Sequence, residues 1–174
     1  MKKVLVAMLL TLSMVSFAAA EGSAAGSKAA GLGIDLAVPF GDLSNVAGVG
    51  YGLTGQFDYG FNQKITLIGS IGYMMFAEKN NWEGSSIPIK VGATYSLANV
   101  MPGLYAIGEV GFDMLSFDWS GPFGGSSSHN ELCLVPGIGW QKPMGSMTLD
   151  LSARMSLVDG GSRIGIRAGV KKAL

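Results

Sequence analysis

Apolar and polar residues alternate along most of this chain. In segment 31–38, GLGIDLAV, the even-numbered residues are large and aliphatic, whereas the odd-numbered ones are glycine, aspartate or alanine. The same period of two recurs in segments 49–59, 87–97 and 147–157. This alternation predicts amphipathic β-strands, because successive side chains of a strand point to opposite faces of the sheet.

Two further segments, 65–76 and 104–117, have large apolar residues on both parities. Their β-branched and aromatic residues, and the absence of a helical apolar stripe, favour strands there too. The pattern therefore predicts eight strands in all. They begin near residues 30, 48, 64, 87, 103, 131, 146 and 162.

The connections between these strands are of two kinds. The short ones are 61–64, 98–103 and 142–146, and they alternate with the longer or more polar 40–48, 77–86 and 119–130 and the tight 159–162. Because the short turns follow the even-numbered strands, we expect both termini at the short-turn end.

The first 20 residues have the features of a secretory signal peptide. Lys2 and Lys3 precede an apolar run from residue 4 to residue 17, and Ala18 and Ala20 form a small-residue cleavage site. The run is shorter than the roughly 20 residues of a membrane-spanning helix, which argues against an uncleaved anchor. We predict a signal peptide at 1–20 that is cleaved after Ala20, a flexible lead-in at 21–28 and one β-barrel domain at 29–172.

Composition indicates which face of the strands meets water. Only 14% of residues are charged, where a soluble domain has about a quarter. A soluble lipocalin-like barrel that binds a hydrophobic ligand would expose its polar face, but here that face is largely Gly, Ser and Thr with isolated charges. Such residues suit the interior of a narrow barrel. We therefore predict an all-β fold, an eight-stranded antiparallel up-and-down transmembrane β-barrel.

Aromatic residues lie near the ends of the predicted strands, as in the interfacial girdles of membrane barrels. At the short-turn end they are Tyr59, Phe61, Tyr95, Tyr105 and Trp140, and at the long-loop end Phe40, Phe76, Trp82, Phe117 and Trp119.

The segment GIDLAVPFGDLSNVAGVGYGLTGQFDYGFN, residues 33–62, resembles the opening hairpin of outer-membrane β-barrel proteins of the OmpA/OmpX-like superfamily. The resemblance extends in pattern over residues 29–172. It implies a bacterial outer-membrane location, contact with outer-membrane lipid and insertion by the barrel-assembly machinery. It also implies a role in envelope structure, or in adhesion and recognition through extracellular segments 77–86 and 119–130. One departure is the terminus Lys172-Ala173-Leu174, where such chains commonly finish on an aromatic residue.

Candidate chemistry is sparse. His129, the only histidine, follows Ser126, Ser127 and Ser128 and precedes Glu131. The alternative function is therefore a lipid-modifying outer-membrane hydrolase, although a solvated loop histidine is the better interpretation, because a triad needs a fixed geometry.

The remaining residues give no argument for a cofactor or a nucleic-acid partner. His129 and Cys133 alone do not make a zinc site, and the lone cysteine has no partner for an internal disulfide. Equal numbers of basic and acidic residues, 12 of each, give no electrostatic reason to bind nucleic acid. We expect a non-enzymatic protein without cofactor or metal.

The charged residues of the polar parity are predicted to face the lumen. They are Asp35, Asp58, Lys90, Glu109, Asp113, Glu131, Asp150, Arg154, Arg163, Arg167 and Lys171. Because a lone ion in a narrow interior loses hydration, these charges are expected to pair and to plug the barrel. An ionic cluster that gates a small ion path is the alternative.

The closing strand carries three of these cations, spaced by Gly165 and Gly169, which are expected to make room for them. Their first expected partners are Asp35 and Asp150, with Glu109, Asp113 and Glu131 reaching across the lumen.

Overall fold

The computed structural model describes residues 24–80, 82–119, 125–158 and 162–174, with only the backbone described at residue 119. It contains eight strands and one short helix. The strands are β1 (Lys28–Pro39), β2 (Gly50–Gly60), β3 (Ile65–Lys79), β4 (Trp82–Ser96), β5 (Leu104–Trp119), β6 (Gly125–Met144), β7 (Met147–Val158) and β8 (Arg163–Ala173). The helix α1 spans Leu43–Val46. The predicted signal peptide lies outside the described residues and stays a prediction.

The strands form one closed antiparallel barrel in which each strand pairs with the next. β8 closes the sheet on β1 through eleven paired positions, from Ala29 opposite Ala173 to Pro39 opposite Arg163. The first and last strands start and end at the same end of the barrel, where the short turns lie. The predicted fold class is confirmed. We call this end the periplasmic end and the opposite one the outer end, because outer-membrane barrels have short periplasmic turns.

The outer surface of the barrel is apolar. On β1, Ile34 and Val38 are each 60% exposed, whereas the intervening Asp35 and Ala37 are 8% and 3% exposed. The other strands alternate in the same sense, with apolar residues outward. A water-facing surface rarely carries so large a contiguous apolar area. The soluble, lipocalin-like alternative is therefore wrong, and the exterior is that of a membrane-spanning barrel.

The two segments of mixed parity carry apolar residues on both faces for a structural reason. β3 turns Ile68, Met74 and Phe76 into the lumen, and β5 does the same with residues that include Ile107 and Leu115. These side chains form small apolar clusters at the two ends of the interior. The lumen is therefore apolar at its outer end, whereas at its periplasmic end apolar and charged side chains lie side by side, as with Ile68 opposite Asp58.

Helix α1 lies over the outer end of the lumen. Leu43 is buried against Ala37, Met74, Phe76 and Leu115. Asn80 donates a hydrogen bond of 2.9 Å from Nδ2 to the carbonyl of Asn45, which ties the helix to the end of β3. The first long connection, predicted as a polar loop, thus folds inward on its apolar residues. The part of the chain that the structure describes has no helix with the length and apolar character needed to cross a membrane.

Two strands begin earlier than the alternation predicts. β4 begins at Trp82 rather than near 87, and β6 begins at Gly125 rather than near 131. The ladder between β5 and β6 continues to residue 119 opposite Gly125. The added residues of β4 and β6 lie beyond the apolar band of the barrel, so their outward side chains are polar. The strands can still pair there, because the hydrogen bonds of the ladder join backbone groups and do not require an apolar face. Segments 77–86 and 119–130 are therefore partly projecting hairpin strands instead of loops.

The predicted aromatic girdles are only partly present. Phe61 and Tyr95 are outward and exposed, as predicted. Tyr105 and Phe76 are instead buried inside the barrel at 4% and 5% exposure. Tyr105 has the parity of Glu109, and Phe76 has the parity of Ser70, and both of these residues also face the lumen. The face of the strand on which a residue lies therefore decides its direction, even near the end of the strand.

A lysine in place of Ile34 tests which medium the exterior meets. Ile34 lies near the middle of β1 and points outward. We expect Ile34→Lys to lower the free energy of unfolding by about 2–4 kcal/mol, because it places a charge near the bilayer midplane. The measurement is urea unfolding in lipid vesicles. Ser128→Lys, outward but beyond the apolar band, is the control and should change stability by less than about 0.5 kcal/mol. Equally small effects at both positions would contradict a lipid-facing exterior.

Candidate functional site: the ionic interior of the barrel

The seam between the first and last strands carries an ion pair. Asp35 and Arg167 are register partners across β1 and β8, and Arg167 donates from Nε to Asp35 Oδ1 over 2.7 Å. Thr54 on β2 donates to the second oxygen of Asp35 over 2.6 Å, and accepts from Arg167 Nη2 over 3.1 Å. Both oxygens of the carboxylate are thus satisfied within the sheet.

A second pair crosses the centre of the lumen. Arg154 Nη1 on β7 lies 2.6 Å from Glu109 Oε2 on β5. Ser70 donates to the other oxygen of Glu109 over 3.1 Å. The side-chain oxygen of Gln56 accepts from both Arg154, over 3.3 Å, and Arg167, over 3.2 Å. Gln56 therefore joins the central pair to the seam pair.

Lys171 forms the periplasmic end of the network. Its Nζ lies 2.8 Å from Asp58 Oδ2 and 2.7 Å from Asp150 Oδ2. The hydroxyl of Tyr105 is 2.8 Å from both oxygens of Asp150 and donates to that carboxylate. The ring of Tyr105 fits because residue 139 is Gly139, where a Cβ would collide with it. Tyr105 was missed by sequence reasoning, and its shared parity with Glu109 is the signal that would have found it.

The outer pair joins β8 to β5. Arg163 Nη2 is bonded to Asp113 Oδ2, and Ser86 donates to the other oxygen of Asp113. The guanidinium carbon of Arg163 lies 5.8 Å from the centre of the Phe76 ring, within reach of a cation–π interaction. This pair sits directly beneath the apolar cluster at the outer end, in which Phe76 also takes part.

Two of the predicted lumen charges stand outside these pairs. Lys90 is 8% exposed, and no carboxylate among the described residues lies within ion-pair distance of it. Glu131 is half-buried near the outer end and lies opposite Asp113, a like charge, in the β5–β6 register. The expectation that every inward charge pairs is wrong for these two residues. The other nine, namely Asp35, Asp58, Glu109, Asp113, Asp150, Arg154, Arg163, Arg167 and Lys171, form the network above.

The long cations are accommodated by glycines of the first strand. A Cβ on Gly33 would lie 3.0 Å from Arg167 Cγ, and one on Gly31 would lie 2.8 Å from Lys171 Cγ as well as 2.6 Å from the backbone oxygen of Val170. A Cβ on Gly165 or Gly169 would instead meet backbone oxygens of β1, at 2.9 and 2.8 Å. The prediction that Gly165 and Gly169 make room for the long side chains is wrong. They permit close approach of the two strands at the seam.

The serines around His129 do not form a catalytic triad. Ser127 Oγ lies 2.8 Å from His129 Nε2, two residues along the same strand and in contact with water. Ser126 and Ser128 alternate to the other face of β6. Among the described residues, no carboxylate forms a hydrogen bond with His129, so the third member of a triad is missing. The described residues also include no cluster of three or more potential metal ligands, and Cys133 is a buried free thiol.

The structure is similar to known outer-membrane barrels. Ail, the attachment invasion locus protein of Yersinia pestis, superposes with a TM-score of 0.64 at 19% identity, over 86% of this chain and 99% of that chain. Neisserial surface protein A superposes with a TM-score of 0.60 at 12% identity, over 83% and 96%. The N-terminal β-barrel domain of OprF from Pseudomonas aeruginosa gives 0.59 at 12%, over 84% and 98%.

This is the fold of the outer-membrane β-barrel proteins. No protein-family model and no curated protein matches the sequence. At identities this low the similarity concerns the fold, and it confirms the barrel that the alternation predicted.

The seam pair can be tested with a double-mutant cycle. Arg167→Met removes the cation and leaves the carboxylate of Asp35 buried, which should lower the free energy of unfolding by about 3–5 kcal/mol. Adding Asp35→Asn removes the uncompensated charge, so the double variant should recover most of that loss. Urea unfolding of the refolded barrel in vesicles measures both. Additive losses in the double variant would show that the two residues act independently.

Proposed function

We propose that this protein is a non-enzymatic, integral outer-membrane barrel with a plugged lumen, which acts in recognition or adhesion at its outer end. The observation that carries the proposal is the change of surface along β5 and β6. Their outward side chains are apolar up to Met114 and Leu132, and polar beyond, from Ser116 to residue 118 and from Ser126 to Asn130. The apolar part faces lipid, and the polar part is presented to the medium.

Three layers support a plugged lumen. The outer layer is the apolar cluster around α1, and the middle layer contains the ion pairs of Arg154, Arg163 and Arg167. The periplasmic layer contains Ile68, Tyr105 and Ile107 together with the ion pairs of Lys171. Two cavities among the described lumen residues have volumes of about 40 and 10 Å³. A diffusion pore needs a wider barrel with a continuous water-filled channel. The interior therefore favours stability over transport, and argues against the gated ion path.

The projecting part of the barrel supports recognition. Strands β3 to β6 continue outward as paired hairpins, with Trp82 opposite residue 119 at the top of the β4–β5 ladder. A paired sheet is a more rigid platform than a free loop, which lowers the entropy lost on binding. The two hairpins contain the segments 77–86 and 119–130 that the sequence indicated as the contact surface.

The net charge of the outer segments indicates which kind of partner can bind there. The outer segments carry Asp42, Glu78, Glu83 and Asp118 against Lys79. Ail has been crystallised in complex with the heparin analogue sucrose octasulfate, which is a polyanion. An acidic surface repels such a ligand. The partner of this chain is accordingly a neutral or basic surface, and not a sulfated polysaccharide.

The remaining partners follow from the location. Outer-membrane lipid covers the apolar band, and the barrel-assembly machinery inserts the chain. The hydrolase alternative has little support, since the Ser127–His129 hydrogen bond is exposed to water and has no acidic member.

Electrical recording tests the plug. The purified barrel, reconstituted in planar lipid bilayers, should give no conductance steps above the bare bilayer, because ion pairs and apolar side chains fill the lumen. A general porin in the same bilayers is the positive control. Stable, reproducible conductance steps from the purified barrel would contradict a plugged lumen.

Trimming one hairpin tests recognition. Ser116 and Ser128 are register partners, so removal of residues 117–127 and closure with an Asn-Gly turn keeps the pairing of the strands. Cells that display the full chain should adhere to epithelial monolayers, and the trimmed variant should lose most of this adhesion while it still folds as a barrel. Soluble heparin should not compete. Equal adhesion by both variants would exclude the β5–β6 hairpin as the contact surface, and competition by heparin would contradict the charge argument.

A further inference from the structure

A small cavity lies inside the barrel beside the ion pairs. Its volume is about 40 Å³, and its lining includes Asp35, Lys90, Arg154, Ser156, Arg163 and Arg167. Since one water needs roughly 10–15 Å³ of such space, the cavity has room for a small ion with one or two waters. Four of these six residues are cations, and only one is an acid.

Two buried polar atoms on this lining have no hydrogen-bond partner. They are Ser156 Oγ and Arg163 Nη1, on residues that are 5% and 3% exposed. The other terminal nitrogen of Arg163, Nη2, is paired with Asp113 and holds the guanidinium in place. The N–H groups of Nη1 have no acceptor. Buried polar atoms in native proteins nearly always have a partner. These two atoms therefore require an acceptor in the cavity, which is either water or a ligand.

The charges around the cavity do not balance. Arg154, Arg163 and Arg167 each have a carboxylate partner, which are Glu109, Asp113 and Asp35 respectively. Lys90, which also lines the cavity, has no carboxylate partner among the described residues. At the other end of the lumen, Lys171 contacts two carboxylates. The surroundings of the cavity thus carry one positive charge without a carboxylate partner, that of Lys90.

We propose that this cavity is a binding site for a small inorganic anion, which pairs with Lys90 and accepts hydrogen bonds from Arg163 Nη1 and Ser156 Oγ. The unmet groups at the site are an ammonium, a guanidinium N–H and a hydroxyl, and all three can donate. A metal cation is excluded because the one charge at the site without a partner, the ammonium of Lys90, is positive. Water alone could accept the hydrogen bonds, but it would leave the charge of Lys90 uncompensated in a narrow interior.

Bromide is a suitable probe, because it has the charge of chloride and scatters anomalously. Crystals of the refolded barrel soaked in sodium bromide should show an anomalous peak within hydrogen-bond distance of Lys90 Nζ and Arg163 Nη1. Lys90→Met keeps an unbranched side chain that is one atom shorter and has no charge, and it should abolish the peak. Lys64→Met, at an exposed periplasmic turn, is the matched control and should leave it unchanged. Water alone in the cavity of the wild-type protein, or a peak that survives Lys90→Met, would overturn the proposal.

Stability in solution provides a second measurement that does not need crystals. If a halide binds only the folded barrel, then above saturation the unfolding equilibrium constant should fall tenfold for each tenfold rise in chloride. Gluconate replaces chloride to keep the ionic strength constant, since screening alone also changes electrostatic stability. Unfolding of the wild-type barrel that does not depend on which anion is present would contradict the site. Lys90→Met should have no dependence on chloride.

Discussion

The structure depends on closure of the sheet between its first and last strands. A sheet in lipid has no water with which to satisfy an open edge, so the hydrogen bonds between β1 and β8 are a condition for insertion. The Asp35–Arg167 pair lies on this seam, and its partners Thr54 and Gln56 are on β2. The β1–β8 seam is therefore held both by backbone hydrogen bonds and by side-chain interactions.

Closure in lipid also dictates what the interior contains. Once the outward parity is apolar, the inward parity is the one place within the membrane where charged side chains can lie. Eight strands leave a narrow space, and long side chains fill it. Glycines on β1 leave space for the side chains of Arg167 and Lys171, and glycines on β8 allow the two strands to approach each other closely. A network of acids and cations results, in which each of the five paired carboxylates also has a hydroxyl or amide neighbour.

Much of this architecture could be predicted from the sequence, because period two fixes which side of a strand each residue occupies. The inward place of Asp35 and Arg167 follows from the parity of their aliphatic neighbours. The pairing in the lumen does not follow in full, since it depends on the stagger between strands and on the reach of each side chain. Lys90 shows this limit, because it shares the inward parity but no described carboxylate lies within ion-pair distance of it. Tyr105 and Phe76 were misplaced by their position near strand ends, although their parity already indicated the lumen. The projecting parts of β4 and β6 could not be recognised from the sequence. A paired strand that has water on its outer face does not need alternating apolar and polar residues.

The central claim is that the apolar parity faces lipid and the charged parity faces a closed lumen. The most direct measurement is fractionation of the envelope of a Gram-negative host that expresses the full chain, followed by gel electrophoresis of boiled and unboiled samples. The account predicts recovery in the outer-membrane fraction, release only by detergent, and different migration of the unboiled folded barrel. Recovery of the mature chain as a soluble periplasmic protein would contradict it.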